Sequence, residues 1–190
     1  MTAAPAASAR IAVIALGNVL FGDDAFGPFV LALLHSGWEF PADVVVIDVG
    51  TPGLDLVSYL QDREAVILVD AVGASGPPGA VRLYRNDELT RIPAKARVSP
   101  HDPAVQETLL LAQFAGDGPR HVLLVGAIPL SLEQGTGLSV PVRDAATTAA
   151  AIVVRELGSL GAAPTPRPTP LGVTPWWLQV GVALSSDLGG

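Results

Sequence analysis

Four uninterrupted apolar runs rich in β-branched residues constrain this chain more than any other feature. They are residues 10–16 (RIAVIAL), 43–49 (DVVVIDV), 65–72 (AVILVDAV) and 121–127 (HVLLVGA). A strand with one wet face alternates apolar and polar residues, so a run without alternation predicts a strand covered on both faces. Residues 80–84 (AVRLY) alternate better and predict an edge strand. Helical stretches lie between these runs. Residues 28–36 begin at a proline suited to a first helical turn, and residues 54–61 follow a TPG turn. Residues 103–114 place Val105, Leu109, Leu110 and Phe114 at roughly helical spacing, and the alanine-rich stretch 141–157 ends at Gly158. Buried strands alternating with helices predict one α/β domain over residues 11–160, a three-layer α/β/α stack around a twisted, mostly parallel sheet with an antiparallel edge strand.

The two ends read differently. Residues 1–10 read as a disordered lead. Residues 161–170 (GAAPTPRPTP) read as a stiff extended linker with no regular element, because proline donates no hydrogen bond. The tail carrying Trp176 and Trp177 either packs on the domain as an extra strand or covers a partner.

Charge narrows the partners. The net charge is −7, and Lys95 is the single lysine. Such a surface does not attract phosphate backbones or anionic lipid, which argues against nucleic acid as a partner. The apolar runs fall well short of the ~20 residues of a membrane span, so no membrane insertion is expected. Cysteine is absent, which excludes disulfides, thiolate metal sites and a cysteine nucleophile. With no secretory pattern in MTAAPAASAR, the expected compartment is the cytoplasm.

Ligands of open α/β sheets bind beyond the carboxyl ends of the strands. The polar residues there include GNVLFGDDAFG (residues 17–27) after the first run, Asp48 in the second, Asp70 in the third, and His101 in the SPHDP segment. Asp24, Asp70 and His101 invite a joint reading. Two carboxylates and one imidazole on three loops suit a divalent ion such as nickel or zinc. Blander readings stand beside this one. Asp23 and Asp24 precede a helix and could cap it. Asp70 could pair with a backbone turn, His101 could lie on the surface, and Asp48 could bind a ribose or cap a turn. His35 and His121 read as structural.

Other chemistries fit poorly. The chain has no G-x-S-x-G elbow, no P-loop and no H-E-x-x-H helix. The glycines at 17, 22 and 27 do not have dinucleotide-loop spacing. Two aspartates there would repel a pyrophosphate by about 4 kcal/mol per pair of charges 4 Å apart at an effective dielectric of 20. No organic cofactor is expected.

The segment GNVLFGDDAFGPFV resembles the opening of the hydrogenase maturation proteases, endopeptidases that trim the C-terminus of the large subunit of nickel–iron hydrogenases. Four further blocks match in order: IDVGTPGLDLV, VILVDAVGASGPPGAV, VSPHDPAVQETLLLA and LLVGAIPLSLEQGTGLS. The resemblance covers about residues 11–157.

The resemblance implies an aspartyl-type endopeptidase whose metal-contacting and catalytic positions fall on Asp24, Asp70 and His101. Gly17, Asn18, Asp23 and Gly27 would shape the first loop. It implies a large-subunit precursor as partner and nickel, bound to that precursor's own thiolates, as the metal that is read. The metal could polarise the scissile carbonyl or activate a water, or a carboxylate such as Asp24 could act as general base. Two departures are visible. Ala15 stands where the family often has glycine, a site expected to serve close packing, and Asp24 stands where some relatives have glutamate. Two alternatives remain at this point: a chaperone that binds the nickel-loaded subunit without cutting it, and a Rossmann-like nucleotide module.

Overall fold

The computed structural model describes residues 9–90, 104–173, 175, 177 and 178. Each apolar run forms a strand. β1 (Ile11–Ala15) is the most apolar because it is flanked on both sides, and all five of its residues are buried. It pairs in parallel with β3 (Val44–Asp48) and with β4 (Ala65–Ala71), and β4 pairs in parallel with β6 (His121–Ala127). β5 (Val81–Arg85) closes the sheet antiparallel to β6. The order is β3-β1-β4-β6-β5, so the expected antiparallel edge strand is present.

The side-chain period of two divides the sheet's apolar residues between two cores. Val13, Ala15, Ile67, Val69, Val125 and Ala127 face α1 (Phe26–Gly37) and α5 (Val140–Ser159). Ile14, Val66, Leu68, Val122 and Leu124 face α2 (Val57–Leu60) and α4 (Ala104–Ala115). α5 packs on the first face through Ala145, Ala146, Ala149, Ala150, Val153 and Leu157, all buried.

Four expectations change. The run at β3 predicts a strand covered on both faces, yet only Val44 is buried, because β3 sits at the sheet margin with β1 as its one neighbour. α5 does not stop at Gly158. It continues to Ser159 and ends in a Schellman closure, with Gly161 at φ 75° and bonds from Ala162 N–H to Leu157 O (2.9 Å) and Gly161 N–H to Gly158 O (3.1 Å). A four-residue helix α3 (Asp87–Thr90), absent from the sequence reading, follows β5.

The fourth change concerns the proline-rich segment. Thr165–Pro166 forms a strand, β7, antiparallel to β2 (Trp38–Glu39). Proline can sit at an edge because its carbonyl still accepts, while neighbouring residues donate. Here Arg167 N–H donates to Gly37 O (2.8 Å), Leu171 N–H donates to Ser36 O (3.0 Å), and the Ser36 hydroxyl donates to Leu171 O. Beyond this strap, Trp177 is 7% exposed and belongs to the α1/α5 core. The described part of the tail therefore packs on the domain, where Leu178 N–H donates to Pro175 O (3.0 Å). Trp176 lies outside the described residues.

Candidate active site

The parallel strands all end at one rim. In register, Ala15 of β1 lies between Asp48 of β3 and Val69 of β4, one residue before Asp70. The chain then enters the loop from Gly17. Gly17 N–H donates to Gly50 O (3.0 Å), tying this loop to the end of β3. Gly17 has φ 130°, and a Cβ there would collide with the main-chain carbonyl of Asp24. Only glycine permits that turn-back. Gly27 serves another close approach. A Cβ on it would run into the carbonyls of Leu16 and Val69, so α1 starts hard against the ends of β1 and β4. Ala15, in the family's frequent glycine position, is fully buried.

A 3-10 turn, Gly22–Ala25, carries the two aspartates. Successive residues of such a turn point about 120° apart. Asp23, 1% exposed, turns toward the loop between β6 and α5. Its Oδ2 accepts from Leu130 N–H (2.8 Å), Ser131 N–H (3.2 Å) and the Ser139 hydroxyl (2.8 Å), and its Oδ1 accepts from Ser139 N–H (2.7 Å). Backbone bonds reinforce the junction: Gly22 N–H to Gly135 O, Gly135 N–H to Leu20 O, and Asp23 N–H to Ser131 O.

Asp24, 4% exposed, turns back on its own loop and accepts from Asn18 N–H at 2.8 Å. The Asn18 side chain accepts from Leu20 N–H (3.0 Å), forming an Asx turn. The N-cap residues of the 3-10 turn and of α1, Phe21 and Ala25, make no side-chain cap bond, and both aspartates lie in the first turn.

Asp70, 6% exposed, is the penultimate residue of β4 and accepts from Ala71 N–H at 2.8 Å. The turn bearing Asp24 packs against β4. Two buried carboxylates from separate segments thus occupy adjacent elements at the carboxyl edge of the sheet. Burying a carboxylate is costly unless it is partnered. His101, the third member of the expected trio, lies outside the described residues. No cluster of three metal-ligating side chains occurs among the described residues.

Asp48 and His35, which the sequence reading set outside the trio, share a cleft, and the turn-cap reading of Asp48 holds. Asp48 caps its turn, accepting from Gly50 N–H (3.0 Å), and burial raises its pKa against the opposing effect of that bond. It lines a cleft of about 360 Å³ together with His35 of α1 and Trp177 of the tail. Desolvation, and then the nearby Arg167 guanidinium, lower the pKa of His35. A second cleft of about 260 Å³, lined partly by Ala25, Leu138, Arg143 and Trp177, lies beside the Asp24 turn. Residues from the far end of the chain wall both clefts, and no local pattern announces such a wall.

A three-layer α/β/α domain with buried aspartates from separate segments at its strand ends places them at the edge where ligands of open sheets bind. The family profile for hydrogenase maturation protease matches residues 29–156. The hydrogenase expression/formation protein HupD of Rhizobium leguminosarum bv. viciae is 34% identical over 172 residues, covering 90% of this chain and 85% of the relative. The hydrogenase 2 maturation protease of Escherichia coli K12 is 31% identical over 159 residues, covering 83% of this chain and 96% of the relative. The solved structure of the hydrogenase maturating endopeptidase HybD from Escherichia coli superposes with a TM-score of 0.78 at 31% identity, covering 83% of this chain and 98% of that one. The chain belongs to the hydrogenase maturation protease family and is, by class, a peptide-bond hydrolase. The chaperone and nucleotide-module alternatives give way to this assignment. No helix among the described residues is long and apolar enough to cross a membrane.

Proposed function

We propose that this protein removes the C-terminal peptide of a nickel–iron hydrogenase large-subunit precursor in the cytoplasm after nickel insertion, and that Asp24, Asp70 and His101 read the substrate's nickel. One observation carries the reading: Asp24 and Asp70, 46 residues apart in the sequence, lie buried on adjacent elements at one rim of the sheet. Two such carboxylates create negative potential, and a divalent cation relieves it. Carboxylate oxygens with an imidazole nitrogen form a donor set that suits nickel.

The nickel belongs to the precursor in this reading. Held between the precursor's thiolates and these side chains, it orders the C-terminal peptide beside the site. Ordering of reactants is worth as much as about 7–11 kcal/mol of the barrier. Asn18 N–H fixes one Asp24 oxygen, so the carboxylate meets the substrate in a set orientation. Asp23 holds the loop at residues 130–139 and thereby the rim on which the peptide lies.

The test is processing of a purified precursor, scored by the mass of the large subunit. Asp24→Asn, Asp70→Asn and His101→Ala each abolish shortening while circular dichroism shows a folded protein. Normal cleavage by all three variants would sink the assignment.

A further inference from the structure

The Asp24 turn adjoins the cleft of about 260 Å³, since Ala25, the next residue, lines it. Phe29, Leu138, Pro175 and Trp177 make its walls apolar. Arg143, in the first helical turn of α5, is exposed and brings a positive charge to this lining. Its guanidinium donates to Leu138 O (3.2 Å) and pairs with no carboxylate among the described residues. Other arginines of this acidic chain are committed to carboxylates: Arg10 to Asp43 and Glu64, Arg85 to Glu156, Arg167 to Glu39. The family profile ends at residue 156, yet the wall bearing Pro175 and Trp177 lies beyond that match.

We propose that this cleft is a substrate subsite that takes an apolar side chain of the protein precursor next to an acidic one, with Arg143 reading the acid. The inference deepens the proteolytic reading and rests on it for the identity of the precursor. The apolar walls supply contact area, and the one cation supplies selectivity, since an arginine at an otherwise apolar surface favours a partner carboxylate. The tail that follows the strap is then a specificity element as well as a cover for the core. Its Trp177 lines both this cleft and the one that holds Asp48.

The experiment uses the full chain and the nickel-loaded large-subunit precursor, with binding read by calorimetry at low salt and cleavage read by mass. Arg143→Ala weakens Kd and raises KM by about tenfold, Arg143→Glu by more, and kcat stays within about twofold. Replacing, one at a time, the acidic residues flanking the scissile bond of the precursor by lysine identifies one that weakens binding to the wild-type chain and restores binding to Arg143→Glu. Trp177→Ala weakens binding in parallel, with a thermal melt to register any loss of fold. Unchanged Kd and KM in Arg143→Glu overturn the subsite and leave the proteolytic reading standing. Binding without cleavage by the wild-type chain overturns the proteolytic reading and leaves the subsite to be judged on Kd. Failure of the wild-type chain to bind the precursor overturns both.

Discussion

Asp23 and Ser139, 116 residues apart, are joined twice: the Ser139 amide donates to one carboxylate oxygen at 2.7 Å and its hydroxyl to the other at 2.8 Å. This junction welds the loop after β1 to the loop that starts α5, next to the buried Asp24. Asp23 therefore acts as scaffold for the turn that carries Asp24.

Asp23→Ala leaves the amides of Leu130, Ser131 and Ser139 without their acceptor. The expected loss is on the order of 2 kcal/mol, because hydrogen bonds to a charged, buried carboxylate vanish. Urea unfolding followed by circular dichroism measures it. Asp23→Asn falls between, since one amide oxygen replaces two acceptors. Equal midpoints for wild type and Asp23→Ala would remove the scaffold role.

Gly27→Ala introduces a methyl between α1 and the carbonyls of Leu16 and Val69. Neither carbonyl can move without shifting β1 or β4, so the cost is at least about 2 kcal/mol. The expected result is a lower melting temperature, with cleavage reduced because Asp24 moves with the start of α1. Gly37→Ala is the control, since nothing lies near a Cβ there; it should leave the melting temperature near that of wild type.

Arg85 grips Glu156 with two bonds, at 2.7 and 2.8 Å, linking β5 to α5. These bonds hold the Glu156 carboxyl below its ordinary value of 4.5. A carboxylate with a lowered folded-state pKa binds fewer protons folded than unfolded, so its contribution is present above 4.5 and lost as pH falls through the folded value. Glu156→Gln should be less stable than wild type by up to about 1 kcal/mol at neutral pH, since the pair is partly exposed. Urea titrations in steps from pH 7 into the acid range should show this difference shrinking. A difference that grows on acidification would contradict the assignment.

Much of the fold was legible because unbroken apolar runs have few uses in a chain this polar between them. The runs at β1, β4 and β6 give the central sheet within a residue or two of their observed ends. The marginal place of β3 was not legible, because VVVID looks like any buried strand and only pairing reveals which neighbour is missing. The docking of the proline-rich segment was hidden for a similar reason: the donors are Arg167 and Leu171, and their acceptors on Gly37 and Ser36 are some 130 residues away. In the site, the capping reading applied equally to Asp23 and Asp24, while the metal reading took Asp24 alone and left Asp23 to shape the loop. A 3-10 turn sends the two side chains in different directions, and only the fold tells which meets the loop at Ser139 and which meets Asn18. Arg143 carried no motif, since its meaning depends on Trp177 across the cleft.

The most direct measurement of the central claim is paired processing of nickel-loaded and nickel-free large-subunit precursor by the wild-type chain and by Asp24→Asn and Asp70→Asn, with subunit mass as readout. The account predicts shortening only where wild-type protein meets nickel-loaded precursor. Shortening of the nickel-free precursor at the same rate, or by both variants, would contradict it.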